Sequence, residues 1–230
     1  MKKTAELAGI TVIFDLDGTL VNTAPDLQAT LNHVLQVYGH DPVAPEITNT
    51  IIGSGAKAML RAGLAHQNIV SDEKQVDAMF KLFLEHYSTH IADHSAPYAG
   101  CIAALERLSE AGATLAVCTN KKQNLADQLL NTLGLSERFA SIVGADSVPA
   151  RKPDAGHILA TLGLCHGDPA RAIMIGDSQT DERAAHNAGL PFIFVPFGYG
   201  PMDMSGLDQV QIISDFDMLN EALILSLITG

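Results

Sequence analysis

Five short runs of the chain, residues 10–15, 114–119, 141–144, 172–176 and 192–195, are almost unbroken apolar, β-branched sequence, and each stops at a polar or glycine-containing turn. Runs without polar alternation describe strands covered on both faces. Residues 210–213 form a weaker sixth candidate. Helical patterns lie between the runs. In residues 102–111, Ile102, Leu105 and Leu108 share one stripe that ends at Gly112. The same pattern recurs at 125–133 before Gly134, 158–162 before Gly163 and 182–188 before Gly189. Alternating strands and helices predict an α/β fold with a doubly wound parallel sheet.

Residues 22–92 interrupt this rhythm. They carry helical patterns only, at 26–38, 56–64 and 73–91, the first opened by Thr23-Ala24-Pro25-Asp26 in the manner of a capping box. A strand-free block inserted after the first strand predicts a small α-helical cap domain over 22–92, with 1–21 and 93–230 forming one discontinuous core. Its borders fall at 21–23 and at 95–100, Ser-Ala-Pro-Tyr-Ala-Gly.

At 230 residues and 47% hydrophobic content the chain can bury a substantial core. Its 14 basic and 26 acidic residues give a net charge of −12, which argues against nucleic acid or an anionic membrane as partner. A small anionic metabolite is compatible, because local cations, backbone N–H groups and a metal hold phosphate inside a negative protein. Cys101, Cys118 and Cys165 are odd in number and widely spaced, as expected of free thiols in a reducing compartment. Lys2 and Lys3 precede only a short apolar stretch that runs into Asp15, and no run approaches the ~20 residues that span a bilayer. The expectation is a cytoplasmic protein, a monomer by default with a dimer left open.

The polar residues at the strand ends carry the chemistry. In Asp15-Leu16-Asp17-Gly18-Thr19-Leu20, the first and third residues of an extended segment face one side, and Gly18 permits a sharp turn. Two carboxylates so close repel, and a divalent cation is the natural way to keep both ionised. A lone Asp-Gly would read as a plain turn; the six-residue string is far more specific. Thr119-Asn120 ends the second run, where helix capping and phosphate binding are both open readings. Lys152, in Arg151-Lys152-Pro153-Asp154, could aim its ammonium at the crevice or lie solvated on a loop. Gly176-Asp177-Ser178-Gln179-Thr180-Asp181 places two aspartates four residues apart at a helix start, each with helix capping as its plain alternative. Oxygen donors without neighbouring His or Cys point to Mg²⁺ over zinc.

Taken in order, these four strings resemble the motifs of the haloacid dehalogenase-like hydrolase superfamily, and the resemblance spans essentially the whole chain. It implies a Rossmann-like core with a helical cap. It also implies a phosphatase in which Asp15 is the nucleophile that becomes phosphorylated and Asp17 the general acid and then base. Mg²⁺ would be held by Asp15, the carbonyl of Asp17 and Asp177, with Asp181 orienting the set. Thr119, the N–H of Asn120 and Lys152 would hold the phosphoryl oxygens. Ile51-Ile52-Gly53-Ser54-Gly55 and Phe197-Gly198-Tyr199-Gly200 look like the phosphoglycolate phosphatase branch, which makes 2-phosphoglycolate the expected substrate. In the cap, Gly53 and Gly55 suggest an anion-binding turn, and Ser54, Lys57 and Arg61 are candidates for substrate choice. Exposed helix lysines and arginines are, however, more often solvated surface. Of the nine histidines, His33, His66, His86, His90 and His94 show no ligand spacing. Asp17 argues against a dehalogenase or a phosphonate hydrolase. A phosphomutase, a phosphatase for a sugar phosphate, nucleotide or pyrophosphate, and a non-catalytic phosphate- or metal-binding protein remain alternatives.

Overall fold

The computed structural model of the chain describes residues 5–200 and 210–229, with the backbone alone at 49, 50, 54 and 229. Lys2 and Lys3 fall outside these residues. Along the chain, β1 (Thr11–Phe14) is followed by β2 (Val21–Asn22) and α1 (Ala24–Val37). Next come α2 (Pro45–Thr48), a 3₁₀ turn (Asn49–Ser54), α3 (Ala56–His66) and α4 (Glu73–Thr89). The chain returns through β3 (Ala96–Pro97) to α5 (Cys101–Glu110), β4 (Thr114–Cys118), α6 (Gln123–Thr132), β5 (Ser141–Val143) and α7 (Ala155–Leu164). It ends with β6 (Ala172–Gly176), α8 (Gln179–Ala188), β7 (Phe192–Phe194), β8 (Gln211–Ile212) and α9 (Glu221–Thr229).

The large sheet runs β5-β4-β1-β6-β7-β8 with every neighbouring pair parallel, so the expected doubly wound α/β architecture is the observed one. The unbroken apolar runs have a simple cause: both faces of the strands are buried. Val12 and Phe14 of β1, with Leu115, Val117, Ile173 and Ile175, join one core with α5, α6 and α9. The intervening Ile13, with Ala116, Cys118 and Met174, joins a second core with α7 and α8. Each Val, Leu, Ile, Phe or Met side chain withdrawn from water in this way contributes about 1.5–3 kcal/mol. Strand order reverses around β1, which puts the crevice at the carboxyl ends of β1, β4 and β6.

Helices α1, α3 and α4 pack against one another, and the chain passes to and from this helical block through a two-stranded antiparallel ribbon, β2–β3, pairing Val21 with Pro97 and Asn22 with Ala96. The start of α1 differs from the capping-box expectation. The Thr23 hydroxyl donates to Asp17 Oδ1 at 2.7 Å, and the buried Asp26 carboxylate accepts from the His94 N–H and from both the N–H and hydroxyl of Ser95. The orphan N–H groups of α1 go to Asn22 Oδ1 and to the Tyr199 hydroxyl instead. Thus the Thr23 side chain ties the end of β2 to the loop after β1, and the Asp26 side chain ties the start of α1 to the segment that enters β3. Among the described residues, no helix is long and apolar enough to cross a membrane, and the three cysteines are free, two of them buried.

Candidate active site

Four loop tips meet at the carboxyl ends of β1, β4 and β6. The Asp15 N–H still belongs to the sheet, donating to Ile175 O at 2.9 Å, so the side chain leaves the strand at a fixed point. Gly18 then turns with φ +83°, and a side chain there would collide with the Asp177 carboxylate. Gly198 is closed by the same carboxylate from the other side. Asp177 therefore sits in a cradle that only two glycines permit, its Oδ1 accepting from the Thr19 hydroxyl at 2.9 Å and its Oδ2 from the Tyr199 N–H at 2.8 Å.

Lys152 is the cation of this cluster. Its buried ammonium lies 2.8 Å from Asp15 Oδ1 and 2.6 Å from Asp181 Oδ1. The Lys152–Pro153 peptide is cis; the loop is fastened by Asn120 Nδ2 donating to Lys152 O at 2.9 Å and by the Lys152 N–H donating to His157 Nδ1 at 3.2 Å. Asp181 is both things the sequence left open. Its Oδ2 completes a capping box with Ser178 at the start of α8, while its Oδ1 holds Lys152.

Among the described residues, one group of acidic side chains could hold a metal ion: Asp15, Asp177 and Asp181 offer oxygens within 4.8 Å of one another. Burial raises the Asp15 carboxyl to about 7, opposed by Lys152 and reinforced by the charges of Asp181 and Asp177. Burial and Asp181 raise Asp177 to about 6, against the hydrogen bonds from Tyr199 and Thr19. Burial works against the Lys152 charge, yet Asp15 and Asp181 outweigh it and its affinity for the proton is raised. Three carboxylates and one ammonium leave two negative charges uncompensated. An all-oxygen donor set with that deficit fits a hard divalent cation.

Asp17 lines the same cavity, but its carboxylate stands apart from the acidic trio. Its Oδ1 accepts from Thr23 Oγ1 at 2.7 Å and from Lys121 Nζ at 2.8 Å. Lys121 also donates to the Tyr87 hydroxyl of α4 at 2.9 Å. Sequence reasoning passed over Lys121, Tyr87, Thr19 and the hydroxyl of Tyr199. The first two are 34 residues apart, and no periodicity links them. Thr19 and Tyr199 carried a signal only as parts of the strings 15–20 and 197–200.

The other candidates divide. Thr119 is buried at the end of β4, its N–H donating to Val143 O and its hydroxyl accepting from the Lys121 N–H at 3.2 Å. Asn120 and Gly53 both line the cavity, the latter from the 3₁₀ turn of the helical block. Lys57 and Arg61 do not line it: Lys57 is paired with Asp77 and Arg61 with Glu73, on α4 or at its start, with 40% and 47% of their side chains exposed. The Ser54 side chain lies outside the described residues. His33, His86 and His90 stack on one another away from the cavity, with centroids 4.0 and 4.3 Å apart.

The haloacid dehalogenase-like hydrolase family model matches residues 12–195, from β1 through β7. The chain belongs to that family. Members of it that are similar along nearly their whole length include a phosphoglycolate phosphatase of Agrobacterium fabrum, 44% identical, covering 94% of this chain and 93% of the relative. Another, from Caulobacter vibrioides, is 43% identical and covers 91% of this chain and 90% of that one. A crystal structure of a predicted phosphoglycolate phosphatase from Haemophilus somnus superposes with a TM-score of 0.83 at 28% identity, over 93% of this chain and 97% of that one. This haloacid dehalogenase-like hydrolase is an enzyme of the phosphoric monoester hydrolase class.

Proposed function

We propose that this hydrolase is a Mg²⁺-dependent phosphatase that converts 2-phosphoglycolate to glycolate and phosphate through an aspartyl-phosphate on Asp15. The observation that carries it is the convergence of Asp15, Lys152, Asp177 and Asp181 with Asp17 around one cavity of about 220 Å³, with Gly53 of the helical block on its wall. That volume is below the roughly 300–1,000 Å³ usual for drug-sized ligands, which favours a compact ester over a nucleotide. The names of the relatives supply the substrate, since they are similar through the helical block as well as the core.

Asp15 would attack phosphorus in line, forming a P–O bond to its carboxylate as the P–O bond to the leaving oxygen breaks. Asp17 would give that oxygen its proton. Water would then attack the same phosphorus, losing a proton to Asp17, and the bond to Asp15 would break to release phosphate. Lys152, the Thr119 hydroxyl and the Asn120 N–H would hold the phosphoryl oxygens, where losing one such group costs on the order of 10²–10³ in rate. Asp15, Asp177 and the carbonyl of Asp17 would hold Mg²⁺, with Asp181 keeping Lys152 and the start of α8 in register. The cation, when bound, supplies charge neutralisation for the phosphoryl group.

A turnover panel tests the substrate: 2-phosphoglycolate against hexose phosphates, nucleoside monophosphates and pyrophosphate. The highest kcat/KM is expected for 2-phosphoglycolate; preference for a larger ester would defeat that choice and leave the chemistry standing. A phosphoenzyme that survives in water but is discharged by a sugar phosphate would make the protein a mutase. On the same panel, Lys57→Ala and Arg61→Ala are expected to change kcat/KM by less than about fivefold, because exposed ion pairs contribute only ~0–1 kcal/mol. A drop of a hundredfold in either would return that side chain to the site.

A further inference from the structure

The cation that faces Asp17 comes from outside the acidic cluster, and its side chain is nearly as withdrawn from water as that of Lys152. The Lys121 side chain is 6% exposed, with Nζ 2.8 Å from Asp17 Oδ1. It reaches the Tyr87 hydroxyl at 2.9 Å and lies over that ring, 4.6 Å from its centroid. Tyr87 is itself 1% exposed. A buried ammonium is costly unless paired, and breaking such a pair by removing one partner is more costly still. Two partners from different parts of the fold therefore hold Lys121: a partly exposed acid on the loop after β1 and a buried phenol on α4.

The donors to Asp17 share a second feature. Both engage Oδ1. One is Thr23, the N-cap residue of α1, whose own N–H donates to the Tyr199 hydroxyl. The other is Lys121, whose second partner is Tyr87 near the end of α4. The first and last long helices of the helical block thus both bear on one carboxylate oxygen, while Oδ2 receives neither donor.

We infer that Lys121 is a positioning residue for the hydrolase reaction, clamping Asp17 Oδ1 through its contact with Tyr87 so that Oδ2 is set for proton transfer when the helical block lies against the core. The inference rests on the assignment of Asp17 as the group that protonates the leaving oxygen. The clamp is lost if α4 moves off the core, which ties the geometry of the acid to the position of the lid. Lys121 does not contact substrate in this scheme.

Leaving groups separate this role from a merely structural one, because p-nitrophenolate departs without a proton and an alkoxide does not. Single-turnover release is measured for p-nitrophenyl phosphate and for an alkyl phosphate that the unaltered enzyme turns over. In Lys121→Met, alkyl release is expected to slow about 10- to 100-fold, below the full 10²–10⁴ that a positioned acid supplies because Asp17 itself is kept, and p-nitrophenol release less than about threefold. Tyr87→Phe removes one hydroxyl and is expected to show the same asymmetry at roughly 3- to 10-fold, with little further loss when combined with Lys121→Met. Equal slowing of both esters, or additive losses in the double variant, would overturn the clamp. If Lys121→Met does not fold, the asymmetry of Tyr87→Phe decides. Asp17→Asn is the control: asymmetry there with none in the clamp variants refutes the clamp alone, whereas its absence in Asp17→Asn refutes the acid role on which the clamp depends.

Discussion

Replacing Asp15 with asparagine is expected to lower phosphate release by at least ~10⁴-fold and to abolish acid-stable phosphate labelling of the protein. The size follows from the role: removing a nucleophile eliminates the covalent path and leaves only binding and charge stabilisation. Asparagine keeps the volume of the side chain, and Lys152 keeps its contact with Asp181 at 2.6 Å, so the cavity has no reason to collapse. The unaltered enzyme, quenched in acid during turnover of a labelled ester, should carry one acyl-phosphate that maps to Asp15. Thermal melts should show both proteins folded. A variant that retained a tenth of the activity, or a label that persisted in Asp15→Asn, would remove the covalent mechanism whatever the substrate proved to be.

What the sequence revealed, and what it hid, follows from how far apart the interacting groups lie. The sheet was legible because a strand buried on both faces is mostly apolar without alternation, and Val12, Ile13 and Phe14 state that directly. Its loop tips were legible because each apolar run ends on a residue that has no reason to be apolar there: Asp15, Thr119 or Asp177. Helix ends were less so. The α8 pattern was read from residue 182, yet the helix begins at Gln179, because the capping box of Ser178 and Asp181 sets its start ahead of any apolar stripe. The ribbon β2–β3 pairs two residues with two, too few for any alternation to register. Helix α9 gave no period, since residues 223–228 are apolar except for Ser226 and present no polar face. The Lys121–Tyr87 contact had no local signal at all. A basic residue after a strand and a tyrosine in an amphipathic helix are each ordinary, and only the fold makes them neighbours. By the same logic Lys57 and Arg61 looked promising by position, while the structure turns them toward Asp77 and Glu73.

Mg²⁺ is expected to raise the melting temperature of the protein, by an amount that grows with pH, and Asp177→Asn is expected to abolish that rise along with activity. The sign comes from the two carboxyls. Asp15 is raised from 3.8 to about 7 and Asp177 from 3.8 to about 6, burial being the first cause in each. A carboxyl whose folded value is raised contributes stability that is fully present below its unfolded value and lost as pH rises through the folded one. The metal-free protein should therefore lose stability from this cluster between pH 4 and 7, as charge accumulates among groups within 4.8 Å of one another. A divalent cation offsets that charge, and its binding competes with the same protons, so affinity should fall as pH drops below about 7. At a concentration a hundred times Kd the stabilisation is roughly 2.7 kcal/mol, or about 5–10 °C for a chain of this size. Asp177→Asn keeps partners for the Thr19 hydroxyl and the Tyr199 N–H, so the fold should survive while several kcal/mol of transition-state stabilisation, on the order of 10³ in kcat, is lost. Melts at pH 5 and pH 8, with Mg²⁺ and with EDTA, separate the outcomes. Equal shifts at both pH values, or a full Mg²⁺ response in Asp177→Asn, would mean that the cation binds elsewhere and that Asp15 and Asp181 only anchor Lys152.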